Sequence, residues 1–220
     1  MTDLGWIADT TFAAVLFDMD GTLIDSTPAV ERSWQTWARE FGFDPEGVDH
    51  HGIPAETTAR RVVAPDRVDE AIARINELEL TDLEGVTLLP GAFAALEALT
   101  DDRRAIATSC TRPLFEARIT AAGAPHLAHT VTVDDVARGK PEPDPFLRAA
   151  ELLGVDPTRC LVFEDAAGGV TSAKAAGCTV IALTSSTGTA DDLSHADLVV
   201  DGLDALRLVQ VADGVRVTLP

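Results

Sequence analysis

Two carboxylates one residue apart, Asp18 and Asp20, close the apolar run Phe12-Ala13-Ala14-Val15-Leu16-Phe17 and are followed by Gly21-Thr22. A run of this kind reads as a strand buried on both faces, and Gly21 permits a sharp exit turn. In open parallel sheets ligands bind outside the carboxyl ends of the strands, so the two acids stand where a substrate would be. Neighbouring carboxylates repel each other, and such a pair is tolerable with a shared proton or a compensating cation. A hard divalent ion such as Mg2+ supplies that charge. A polar loop after a core strand, with Gly21-Thr22 as its turn, is the plainer reading of the same residues.

Three further strings carry complementary chemistry. Thr108 ends an apolar run and is followed by Ser109-Cys110-Thr111-Arg112; a hydroxyl and exposed backbone N–H groups at a strand end can hold phosphate oxygens. Ser and Thr also cap helices, and Thr111 before Arg112-Pro113 suits that use. In Gly139-Lys140-Pro141-Glu142-Pro143-Asp144-Pro145, alternating prolines stiffen a loop that presents one lysine. A fixed ammonium there could neutralise a transferring phosphoryl group, or be a solvated surface charge. Leu161-Val162-Phe163 runs into Glu164-Asp165, and Ala166-Ala167-Gly168-Gly169 opens a helical pattern. Asp165 would then reach the same edge as Asp18 and Asp20 and complete an oxygen-rich metal site; as a helix N-cap it would do something simpler.

The elements that must position these residues alternate. Strands are predicted at 104–107, 130–133, 160–163, 178–183 and 197–200, and helices at 91–99, 113–122, 145–153 and 168–176. The alternation favours an α/β fold, a Rossmann-like doubly wound parallel sheet with helices on both sides. Residues 27–84 depart from it: 28–41, 55–63 and 66–83 all read as helices, with Val30, Trp34, Trp37 and Phe41 on one apolar face. Ser26-Thr27-Pro28 suits a helix start and Gly42 a helix end. This block reads as an inserted α-helical domain whose edges, Asp25-Ser26 and Leu89-Pro90-Gly91, would be adjacent hinges beneath a lid. Trp34 and Trp37 are expected in the insertion's core. A small strand is expected at 215–219.

The chain has 220 residues and 36 acidic against 17 basic side chains, a formal charge of −19. That balance argues against a nucleic-acid backbone or an anionic membrane as partner. An anionic substrate must therefore be drawn in locally, by a metal and a few bases. No apolar stretch approaches a membrane span, and Asp3 and Asp9 interrupt the N-terminus, so a cytoplasmic protein is expected. Cys110, Cys160 and Cys178 form no Cys-x-x-Cys pair and read as reduced core thiols.

In this order, Asp18-Met19-Asp20-Gly21-Thr22, Thr108-Ser109, Gly139-Lys140-Pro141-Glu142-Pro143 and Glu164-Asp165 resemble the motifs of the haloacid dehalogenase superfamily across nearly the whole chain. The insertion between the first two is similar to the helical cap of the subgroup containing sugar phosphatases, phosphoglycolate phosphatase and β-phosphoglucomutase. Residues 25–34 and His51-Gly52 look most like phosphatases for small sugar and polyol phosphates.

The resemblance implies a catalytic core of residues 1–25 and 90–220, a cap of 26–89 and a Mg2+-dependent phosphatase. Asp18 would be the nucleophile that forms an aspartyl-phosphate, and Asp20 the general acid and base. Asp18, Asp165 and the Asp20 backbone carbonyl would ligate the metal, with Glu164 behind them. Thr108, the Ser109 backbone N–H and Lys140 would hold phosphoryl oxygens. Asp20 sets the chain apart from C–Cl cleaving members of the superfamily. Val30 stands where β-phosphoglucomutase has a cap histidine, which disfavours a mutase; that reading and a phosphoglycolate phosphatase remain the alternatives. His51, Gly52 and Arg60 on the cap, with Arg112 on the core, are the candidate contacts to the rest of a small phosphorylated metabolite. A monomer is expected.

Overall fold

Each strand flanking the acidic motifs sends alternate side chains to opposite faces of one sheet, and both faces are covered. The computed structural model describes residues 4–44, 55–184 and 193–220. β1 (Ala14–Phe17) places Val15 and Phe17 in one hydrophobic cluster and Ala14 and Leu16 in another. β4 (Arg104–Ala107), β6 (Cys160–Glu164) and β7 (Thr179–Leu183) alternate in the same way. This period-2 alternation with both faces buried explains why the strands read as continuous apolar runs.

The sheet has six strands in the order β5-β4-β1-β6-β7-β8, with β5 at Thr130–Val131 and β8 at Leu198–Val200, and every pairing is parallel. Register pairs Phe17 with Ile106 on one side and with Phe163 on the other; the Phe17 and Phe163 rings stack at 5.6 Å. The α6 (Asp144–Leu153) and α7 (Ala167–Ala175) helices cover one face through Phe146, Ala149, Val170 and Ala173. On the other lie α4 (Ala92–Glu97) and α5 (Arg112–Ala122), through Ala92, Leu96, Leu114, Phe115 and Ile119. Layers of this kind are what an alternating βα pattern must build to bury both sides of a parallel sheet.

The insertion forms a third hydrophobic cluster. Helices α1 (Thr27–Phe41), α2 (Ala55–Val62) and α3 (Val68–Thr81) bury Trp34, Trp37, Ala59, Val68, Ala71 and Ile75 among themselves. Trp37 stacks on Phe41 and Phe43 and donates its indole N–H to the Ala71 carbonyl at 2.8 Å. Gly42 ends α1 in the left-handed conformation at φ 81°. The edges of the insertion are joined by a ribbon absent from the sequence reading, β2 (Ile24–Asp25) antiparallel to β3 (Thr87–Leu88). The two edges are thereby side by side.

Other departures are local. The strand expected at 130–133 stops at Val131, because Thr132 and Asp135 form a reciprocal capping box that starts a 3-10 turn. The C-terminal strand, β10 (Gly214–Thr218), pairs with an unanticipated β9 (Arg207–Val211) in a hairpin packed through Leu208, Val215 and Val217. All three cysteines are free and buried. Among the described residues no helix is long and apolar enough to cross a membrane.

Candidate active site

The chain runs from β1 outward to β4 and β5 and then returns to β6 on the opposite side of β1, so β1 and β6 form the topological switch point where α/β sheets bind ligands. Asp18 leaves β1 with its N–H on the Phe163 carbonyl at 3.0 Å, and Glu164 and Asp165 leave the neighbouring β6. All three acids are buried, and each offers a carboxylate oxygen within 4.8 Å of the others. Lys140 reaches them from the loop before α6: its ammonium contacts Asp18 Oδ1 and lies 2.6 Å from Glu164 Oε1, above the Phe146 ring.

Three buried carboxylates against one ammonium leave excess negative charge, and burial pushes the Asp18 carboxyl up to about 7 although Lys140 pulls it down. Burial also opposes the charge on Lys140, yet Asp18 and Glu164 hold its acidity constant above the ordinary lysine range. A donor set made only of carboxylate oxygens, still short of positive charge, fits a hard divalent ion.

Local geometry explains the small-residue turn after β6. Glu164 Oε2 accepts the N–H groups of Asp165 and Ala166, each at 2.9 Å, so this carboxylate is locked from its own backbone side. A Cβ at Gly169 would fall 1.7 Å from Glu164 Oε1; the first turn of α7 must be bare for Glu164 to fit. Asp165 does not cap that helix. Ala166 occupies the N-cap, and Asp165 Oδ1 instead accepts from Thr22 Oγ1 at 3.4 Å.

Asp20 belongs to a different set of partners. Gly21, at φ 84°, turns the chain after it. Asp20 Oδ1 accepts from Ser26 Oγ at 2.6 Å and from the Arg118 guanidinium at 3.0 Å, and Oδ2 accepts from the Cys110 thiol at 3.0 Å. Ser26 stands at the N-cap of α1 without a side-chain capping bond and gives its hydroxyl to Asp20, and Asp25 takes the Thr27 N–H at 3.0 Å. Arg118 also lies 3.8 Å from Glu79 of α3, which accepts the Trp34 indole N–H at 3.2 Å. Burial, and then the Asp20 charge, raise the Cys110 thiol well above its ordinary range, so it stays protonated. The Asp20 side chain is outside the three-acid group.

Thr108 is buried at the end of β4, adjacent to β1, and its hydroxyl accepts the Cys110 N–H at 3.1 Å; Ser109 beside it is exposed. Thr111 stands at the N-cap of α5, as expected, but its side chain makes no capping hydrogen bond; Asp134 takes the Arg112 N–H at 2.7 Å. The Arg112 guanidinium is engaged by Asp135 at 2.5 Å and the Thr130 carbonyl at 3.1 Å. Arg60 is exposed on α2 and paired with Glu56 at 2.7 Å. His51 and Gly52 lie outside the described residues.

Sequence reasoning passed over Arg118, Ser26, Glu79 and Gly169. Arg118 left a signal: it interrupts the apolar face of α5 between Leu114-Phe115 and Ile119, where a charge is costly unless paired. Nothing in the order of residues pointed to the other three: Glu79 matters through a partner distant in the chain, Gly169 through an approach of backbone to side chain, and Ser26 through a side-chain bond across the turn after Asp20.

A doubly wound sheet with an acid-and-lysine cluster at its switch point defines a hydrolase class, and the haloacid dehalogenase-like hydrolase family matches residues 12–177. The chain belongs to this family. It is 44% identical to hexitol phosphatase A of Escherichia coli (strain K12) over 206 residues, covering 90% of this chain and 95% of that protein. It is 33% identical to glycerol-1-phosphate phosphohydrolase 1 of Saccharomyces cerevisiae, covering 89% of this chain and 84% of the relative. Among solved structures, a haloacid dehalogenase-type hydrolase of family IA, variant 3, from Entamoeba histolytica superposes with a TM-score of 0.76 at 26% identity, covering 91% of this chain and 96% of the other.

Proposed function

We propose that this enzyme is a Mg2+-dependent phosphatase acting on small polyol or sugar phosphate monoesters through an aspartyl-phosphate. The observation that carries the reading is the convergence of Asp18, Lys140, Glu164 and Asp165 from three separate stretches at one strand edge. The likeness to a hexitol phosphatase over nearly the full length supports the substrate class.

In the first step an Asp18 oxygen forms a bond to phosphorus while the ester P–O bond breaks. The electron pair stays on the leaving oxygen, which takes a proton from Asp20. In the second, Asp20 takes a proton from water as its oxygen attacks phosphorus, and the bond to Asp18 breaks to release phosphate. Lys140, Thr108 and the Ser109 backbone N–H hold the phosphoryl oxygens as charge spreads over them. Mg2+ held by Asp18, Asp165 and the Asp20 carbonyl would supply the positive charge that lets an anionic ester approach three acids. Glu164 fixes Lys140 and the turn that carries Asp165.

Residues 1–25 and 90–220 act as the catalytic core and 26–89 as a cap over it. Specificity beyond the phosphoryl group comes from the cap, through His51, Gly52 and Arg60, with Arg112 on the core side. The test is release of inorganic phosphate from a panel of hexitol phosphates, hexose phosphates, glycerol phosphate and phosphoglycolate, with Mg2+ and after chelation. Highest kcat/KM on hexitol phosphates, abolished by chelation and restored by Mg2+, is expected. Isomerised product without phosphate release, or activity indifferent to chelation, would overturn the reading.

A further inference from the structure

We infer that Arg118 is the positioning residue for Asp20, orienting its carboxyl so that Oδ2 is the oxygen that exchanges the proton with the leaving group. The inference rests on the acid–base role of Asp20 proposed above.

Three donors, from two loops and helix α5, hold this carboxylate, and they divide unequally between its oxygens. Oδ1 takes Ser26 Oγ at 2.6 Å and Arg118 Nη1 at 3.0 Å, two strong donors. Among the described residues Oδ2 takes only the Cys110 thiol, a weak donor, at 3.0 Å. The thiol is buried. Oδ2 therefore keeps acceptor capacity that Oδ1 has spent.

Arg118 has the build of a fixed strut. Its side chain is 5% exposed and emerges from an apolar helix face, with Glu79 of α3 3.8 Å from its Nη2. Of its nitrogens, Nη1 also meets Cys110 Sγ at 3.3 Å, so one guanidinium sets both the carboxylate and its thiol neighbour. A planar fork fixes orientation in a way that a lysine, a point charge on a flexible stem, does not.

The experiment compares kcat/KM for an alkyl ester, sorbitol 6-phosphate, with that for p-nitrophenyl phosphate, in which the leaving group departs without needing a proton. This ratio reports the first chemical step, where Asp20 acts as an acid. Arg118→Lys is expected to lower kcat/KM on the alkyl ester about 100-fold and on the aryl ester only a few-fold, because misplacing a reacting group by about 1 Å costs on that order. Adding Arg118→Lys to Asp20→Asn should cause no further loss on the alkyl ester. Equal losses on both esters, or full additivity, would overturn the assignment, since a merely structural role lowers both together.

Asp20→Asn alone separates the two readings. If it lacks the leaving-group asymmetry, the acid role has failed. If it has the asymmetry and the Arg118 variant does not, the positioning role has failed. Should Arg118→Lys not fold, the pair Arg118→Met with Glu79→Gln removes both opposed buried charges together. Its ratio is read in the same way.

Discussion

The strand-end cluster and the helical insertion are held together by opposite means. Around Asp18 the sheet supplies rigidity and the charges are buried: Lys140, Asp18 and Glu164 are each nearly sealed from solvent. Every partner comes from a different strand end or loop. In the insertion the main buried cluster is apolar, centred on Trp34 and Trp37, and apart from Glu79, which faces Arg118 of the core, its ion pairs are mostly exposed, such as Arg74 with Glu40 and Glu77, or Arg67 with Glu70. Buried ion pairs hold geometry and are costly to break singly, whereas exposed ones contribute little. The core is thus built to keep a few charged atoms in place, and the insertion to keep a shape.

Removing the nucleophile should have the largest effect. Asp18→Asn is expected to lower phosphate release by at least about 10⁴-fold while circular dichroism shows the fold retained; substantial residual turnover would place the nucleophile elsewhere. Gly169→Ala comes next. Its methyl group must displace a carboxylate held by two backbone N–H groups and Lys140, so it should cost about 1–3 kcal/mol in denaturant melts and lower kcat at least about tenfold. A variant as active and stable as the parent would show that the Glu164 clamp is dispensable.

The insertion should respond the other way. Trp37→Ala deletes a fully buried ring that packs on Phe41 and Phe43, and about 3–5 kcal/mol of stability should be lost. Below the transition, p-nitrophenyl phosphate hydrolysis should fall far less than in Gly169→Ala; a loss as large would mean that the two regions are not separable. Arg60→Ala should have the smallest effect. Because its pairing with Glu56 is exposed, stability should change by no more than about 0.5 kcal/mol, and any role in specificity would show as a few-fold rise in KM for polyol phosphates with kcat unchanged. An unaltered KM across the panel would remove Arg60 from the substrate site.

The same contrast governs what could be read from residue order. Strands β1, β4, β6 and β7 were visible because burial on both faces demands unbroken apolar runs, and the acids at the ends of β1 and β6 were visible because charge at the end of such a run is conspicuous. The three helices of the insertion were legible from their periodicity. Ribbon β2–β3 was not, since four residues carry no period and the pairing depends on segments about sixty residues apart. Ser26-Thr27-Pro28 was legible as a helix start, and Ser26 stands at its N-cap, but that its hydroxyl donates to Asp20 in a charge-assisted hydrogen bond was not. The Asp165 cap reading gave way because Ala166 stands at the N-cap and the Asp165 carboxylate turns to the acidic cluster and Thr22.

Residue types and their spacing were enough to determine the family, the parallel sheet and which acids and lysine end at its carboxyl edge, because local burial and turn chemistry dictate these. Only the tertiary structure decided how those groups divide: Lys140 with Asp18 and Glu164, and Arg118 with Asp20 and Glu79. Such pairings join residues as many as 122 positions apart, and electrostatics at a few ångströms depends on distance in space, for which separation along the chain is no guide.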